Sequence, residues 1–212
     1  MRRISANGCE ITILPVVKGL VAEGDEVAKA VKDLCPDVVA LSISKEELSA
    51  LRNKVNYEDY EMADLEEVYA AHLEAFGDVE LPPPCFVSAV DACAGASIPV
   101  VPLDMNDEVF TEAYCSSVRT RDMIRESFFA RRALKRKFDL SSPQAFARDW
   151  DEKVNKAKGF QELERQRERH MAEALSNLCR RYRRILAVIE CERVPGVETV
   201  LAARDTQGAE VK

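Results

Sequence analysis

Glu190-Cys191-Glu192-Arg193 follows an apolar run directly and sets two carboxyls, a thiol and a guanidinium side by side. A thiol near Arg193 or Lys18 is a candidate nucleophile, because neighbouring positive charge favours the thiolate. The same Cys191, with Cys85 and an acidic residue, is a candidate zinc ligand, although the spacing of the three follows no zinc motif. Asp104 and Glu192 are the groups that would act as acid or base in such chemistry. Histidine is scarce: only His72 and His170 are present, and neither falls in this stretch. His72 lies on an apolar helical face and reads as a packed or rim residue. His170, three residues beyond Arg167 in a charged helix, reads as solvent-facing.

Arg167 is the other conspicuous residue. The pattern Phe160, Leu163, Met171, Ala174, Leu175, Leu178 marks one face of a long helix, and Arg167 fills the gap in that face. An arginine on an apolar stripe either snorkels to the rim or pairs. If it points toward the edge of a sheet, it can grip a carboxylate or a phosphate. Lys18 and Arg193 would then be its partners in anion binding.

The elements that must position these residues alternate. Apolar runs at Glu10–Val17, Asp37–Ile43, Ile98–Leu103 and Arg184–Ile189 predict four strands. The second and fourth are continuously apolar, the pattern of strands covered on both faces. Val27, Ala30, Val31 and Leu34 predict a helix that Pro36 ends. Ser44 with Glu47 three residues on predicts a capped start for a second helix carrying Leu48 and Leu51. Leu65, Val68, Tyr69 and His72 mark a third, and Pro84 to Gly95 a fourth, with Gly95 as its stop. From Asp107 to about Leu178 only amphipathic helical patterns occur, broken at Ser141-Ser142-Pro143 with Pro143 in the first turn of the next helix. A short helix after Pro195-Gly196 closes the chain. The expected fold is α/β, a mainly parallel sheet with helices on both faces and a long helical insertion over residues 107–180 before the last strand. Residues 1–204 read as one domain and 205–212 as a flexible tail. In such sheets ligands bind at the carboxyl edge of the strands, which here means Val17-Lys18, Ser42–Ser44, Asp104–Asp107 and Glu190–Arg193.

The chain of 212 residues is long enough for a substantial core, and its net charge of −7 makes the surface as a whole unattractive to nucleic acid. Met1-Arg2-Arg3-Ile4 is not followed by an apolar signal region, and no stretch approaches the ~18 apolar residues of a spanning helix. Seven widely spread cysteines without a C-x-x-C pair point to reduced thiols in a cytoplasm. Two basic clusters stand against the overall charge. One is Arg119–Lys137, with Phe128 and Phe129 inside it, and the other is Arg180, Arg181, Arg183 and Arg184. They read either as anionic-membrane contacts or as solvated faces balanced by Asp122, Glu126 and the acidic stretch Glu61–Glu67.

Three segments resemble the TraB/PrgY (pheromone shutdown) family, relatives of the Tiki-type metalloproteases. The run ending "CPDVVAL" is similar to that family's first strand–helix–strand unit. "FVSAVDACAGASIPVVPLD" is similar to its middle helix and strand. "RHMAEALSNLCRRYRRILAVIECERVPGVETVL" is similar to its closing helix–strand–helix. The resemblance implies a prokaryotic TraB/Tiki/EreA-ChaN-like fold and a metal-dependent hydrolase site built on two Gly-x-x-His motifs and acidic residues between them. This sequence lacks both motifs. Lys18 and Arg193 stand where the histidines would be, Glu190 opens the second motif, and Ser42 and Cys85 stand where glutamates would be. Asp104 survives, but Met105-Asn106 replaces the Arg-Asp that follows it. Arg167 falls on a basic position that the family retains.

Lysine and arginine bring fixed charge and no usable lone pair at neutral pH, so they would repel a divalent cation. The expectation is therefore a pseudoenzyme that binds a small anion or a protein partner at the strand carboxyl edge through Lys18, Arg167, Arg193 and Asp104, with no cofactor. Two alternatives stand beside it: a hydrolase with a rebuilt site based on Cys191 or zinc, and a peripheral membrane or regulatory module. A homo-oligomer is compatible with each.

Overall fold

The computed structural model of the chain describes residues 1–6, 8–54 and 62–209. It is an α/β fold around a five-stranded sheet in the order β1-β2-β5-β3-β4. The strands are β1 (Arg2–Ala6), β2 (Cys9–Val16), β3 (Val38–Leu41), β4 (Val100–Pro102) and β5 (Arg184–Glu190). β2, β5, β3 and β4 are mutually parallel, and only β1 runs antiparallel, against β2. All four anticipated strands are present. β1 was not anticipated: it is an edge strand with charged Arg2 and Arg3, so it lacks an apolar run.

The continuously apolar strands are buried from both sides, as their pattern requires. Alternate residues point to opposite faces. Ile11, Ile13, Val38, Ala40, Ile185, Ala187 and Ile189 meet Met171, Leu175, Val197 and Leu201 of helices α8 (Lys158–Leu178) and α9 (Val194–Ala209). Leu14, Val39, Leu41, Leu186 and Val188 meet Val27, Val31, Phe86 and Ala89 of α1 (Val21–Leu34) and α4 (Pro84–Ala96). Between them in sequence lie α2 (Lys45–Arg52) and α3 (Asp64–Leu73), and the insertion before β5 comprises α5 (Asp107–Ser117), α6 (Thr120–Ala133), α7 (Pro143–Val154) and α8.

Local signals account for most boundaries. α2 starts on a capping box in which Ser44 Oγ accepts from the Glu47 N–H at 3.0 Å and the Glu47 carboxylate accepts from the Ser44 N–H at 2.7 Å. Pro143 occupies the first turn of α7 behind the Ser142 cap. α4 runs through Gly95 to Ala96 and ends where Ser97 takes a left-handed conformation, so the stop expected at Gly95 falls two residues later. α9 continues to Ala209 and is not the short helix expected; residues 210–212 lie outside the described residues, as does Glu61 of the acidic stretch. Among the described residues no helix is long and apolar enough to cross a membrane.

Candidate functional site

The parallel strands bring their carboxyl ends to one edge, and the residues singled out by topology gather there. Val16 pairs with Glu190 in register, and the Cys191 N–H donates to Val16 O at 2.9 Å. The Glu190 N–H donates to Ser42 Oγ at 3.3 Å, and the Asp104 N–H to Ile43 O at 3.1 Å. Ser42 therefore secures two strand ends to each other. Met105 is a core residue, and Asn106 caps α5 by accepting from the Val109 N–H at 2.9 Å. Ser42, Met105 and Asn106, where the resemblance would expect other residues, thus hold structural roles.

Arg167 points from α8 to this edge. Its Nε donates to Asp104 Oδ2 at 3.0 Å and its terminal nitrogen to Glu164 Oε2 at 2.8 Å. Arg193, almost fully buried, contacts Glu164 at 3.0 Å, Glu168 at 3.3 Å and Asp151 of α7. Glu164 thus bridges two guanidinium groups. Neither arginine snorkels, and both are already in ion pairs where an anion grip was expected. Burial disfavours the charge on Arg167, but Glu164 and Asp104 outweigh it and hold its pKa above the ordinary value. Burial lowers Arg193 to about 10, so it stays charged at neutral pH. Sequence reasoning missed Glu164, Glu168 and Asp151. The spacing Glu164-x-x-Arg167-Glu168 was the available signal, since residues three and four apart share a helix face.

Lys18 does not meet Arg193 in this network. It lines a separate cavity of about 440 Å³ together with Glu190, Glu192, Tyr69, Leu73 and Trp150. Asp151 lies between the two regions, lining this cavity and the shallower depression beside Arg193. Burial would lower the Lys18 pKa, but Glu190, Glu47 and Glu66 outweigh it and hold it raised. Among the described residues the Lys18 ammonium makes no ion pair within salt-bridge distance. Glu190 is 8% exposed, and its Oε2 has no hydrogen-bond partner among the described residues. Burial pushes its pKa up, against the pull of Lys18 and Arg167.

Tyr69 and Trp150 give the cavity aromatic surface, and a cluster of rings packs against them. Phe146 is fully buried and stacks on Tyr69 at 5.2 Å and on His72 at 5.8 Å, with Trp150 at 6.1 Å. His72 Nδ1 lies 2.9 Å from Val68 O, and its ring meets Phe138 edge-on, so it is a packed residue. His170 is half-buried and not fully solvent-facing. Cys191 is completely buried, its Sγ donating to Glu192 at 3.4 Å. Burial and Glu192 push its pKa up, and burial pushes Cys85 up to about 12. The activating environment expected for a Cys191 nucleophile is reversed: the local charge around the thiol is negative. The basic face of α6 exposes Ile124 and Phe128, while Phe129 is buried beneath Arg136. In the second cluster Arg184 pairs with Asp37 at 2.9 Å.

The residues at this edge do not fit the divalent metal that the family resemblance implies. Asp104 and Glu164 face guanidinium groups, an ammonium and a guanidinium stand where that resemblance would put imidazoles, and the buried thiols are held protonated. Among the described residues no group of three or more His, Cys, Asp or Glu is disposed to hold a metal ion, zinc at Cys85 and Cys191 included.

Burial, and then Glu190, raise the Glu192 pKa to about 7 from an ordinary 4.5. The folded state therefore holds this proton more tightly than the unfolded state. The stabilisation is complete below about 4.5 and is lost as pH rises through about 7. Glu192→Gln removes the effect. The wild type should lose about 1–3 kcal/mol more than the variant between about pH 5.5 and about pH 8, measured by parallel thermal melts. Equal pH profiles for the two proteins would contradict the assignment.

No protein-family model matches the chain, and no curated protein matches it.

Proposed function

We propose that this chain is a TraB-like α/β binding domain in which the family's metal-dependent hydrolysis does not operate, and that a small organic ligand docks in the cavity beside Lys18. The observation that carries this reading is where the cavity lies. It opens at the carboxyl edge of the strands, where α/β folds bind ligands, and it reaches Lys18 and Glu190, two positions of the substituted motifs. It joins an apolar and aromatic wall to a few charged groups, the usual make-up of a small-molecule site. Arg193 pairs with Asp151 of this wall and Arg167 with Asp104 and Glu164, which leaves Lys18 and Glu190 for the ligand. The raised thiols weigh against a Cys191 or zinc hydrolase. None of the seven cysteines forms a disulfide, which suits a reducing compartment.

A thermal-shift screen of small organic compounds tests the reading. Some compounds should stabilise the wild type but not Ala70→Leu, whose larger side chain fills the cavity from α3. Hits that stabilise both proteins equally would place binding elsewhere and contradict the proposal.

A further inference from the structure

We infer that the cavity beside Lys18 takes an organic cation, an alkyl- or arylammonium whose charged end sits against Glu190 and whose apolar part lies along Tyr69 and Trp150. The inference rests on reading this cavity as the ligand site, and it names the class of ligand.

Glu190 is the first ground. Its side chain is nine-tenths buried, it lines the cavity, and Oε2 has no hydrogen-bond donor among the described residues. A buried acceptor without a donor is destabilising by about 1–3 kcal/mol, and more if it is ionised. An ammonium group in the cavity adds opposing charge beside this carboxyl, to that already given by Lys18 and Arg167. Burial, with Asp104 and Glu47, already works against ionisation of Glu190, and an incoming cation reverses that balance.

The second ground is the charge of the wall. Six acidic side chains, Glu190, Glu192 and Asp151 among them, line the cavity with the single ammonium of Lys18 among its described residues. Of these, Asp151 is paired with Arg193. Glu66 also has partners of its own, and the carboxyl groups that remain still outnumber Lys18, so an anionic ligand would enter against the local field and a cation with it.

The third ground is shape and polarity. A volume of about 440 Å³ lies within the range of small-molecule sites, and Tyr69 and Trp150 present aromatic surface on which a cation is held by the ring quadrupole.

Three probes of one size separate the possibilities: phenethylammonium, 2-phenylethanol and phenylacetate. Trp150 is the only tryptophan in the chain and lines the cavity, so its emission reports occupancy. Phenethylammonium should give a saturable change at least tenfold tighter than the alcohol, and phenylacetate none. Glu190→Gln keeps the side-chain shape and should weaken the cation at least tenfold while leaving the alcohol unchanged. Glu192→Gln, on the same wall, is the second variant should the first not fold, and it should weaken the cation in the same sense. Tighter binding of phenylacetate, or of the alcohol, would overturn the inference while leaving the cavity as a ligand site. A cation affinity unmoved in the folded variants would also overturn it. A flat response to all three probes would overturn both readings.

Discussion

Arg193→Ala should unfold the protein on the order of 10 °C earlier than the wild type, a loss of about 3–5 kcal/mol. The arginine is 5% exposed, and its guanidinium is shared by Asp151, Glu164 and Glu168. Those carboxylates come from two helices of the insertion, so the residue ties α7 and α8 to the end of β5. Its removal leaves Asp151 and Glu168 without this countercharge while Glu164 keeps Arg167, and stripping a partly buried carboxylate of its partner is the expensive way to break such a network. Arg184→Ala is the control: that side chain is 57% exposed in its pair with Asp37, and its loss should be worth less than about 1 kcal/mol. The Arg193 defect should also shrink at acid pH, where the orphaned carboxyls take up protons. Similar melting temperatures for the two variants would show that the buried network contributes nothing special.

Phe146→Ala should be comparably damaging, at about 3–5 kcal/mol. Phe146 is completely buried and is the common neighbour of Tyr69, His72, Phe76, Phe138 and Trp150. The ring holds α3 against α7, and two of its neighbours, Tyr69 and Trp150, form the cavity wall. Denaturant unfolding should therefore report a lower midpoint, and the native emission of Trp150 should change as its packing loosens. Phe128→Ala, at a 56% exposed position on α6, should stay within about 0.5 kcal/mol of the wild type. A small effect at Phe146 would mean that the aromatic cluster does not support the wall.

The sheet was legible because its strands are apolar on both faces and separated by amphipathic helices or turn signals. The edge strand β1 was not, since one side of it is unpaired and its charged Arg2 and Arg3 hide the alternation. The dipeptide Asn7-Gly8 between β1 and β2 was the usable hairpin signal, and Gly8 has a positive φ of 76°. Arg167 was visible because it breaks an apolar stripe. Its partner Glu164 and the partners of Arg193 were not, because an acidic residue in a charged helix looks the same whether it faces solvent or a guanidinium. Asp151 pairs with Arg193 from 42 residues away, a distance that no local pattern spans. The cavity was hidden for the same reason, since its walls come from α3, α7, residues 79–81 and the ends of β2 and β5. Charge sign was the subtler difficulty. Lys18, Arg167 and Arg193 suggested an anion site when counted alone, whereas the structure surrounds all three with carboxylates.

The central claim is that a ligand binds in the cavity beside Lys18. The most direct measurement is the indole N–H signal of Trp150, a single peak in a proton–nitrogen correlation spectrum, followed while a stabilising compound is titrated in. The account predicts that this peak moves and saturates together with the backbone signals of Gly19 and Leu73. An indole signal that stays fixed while amides elsewhere shift to saturation would contradict it.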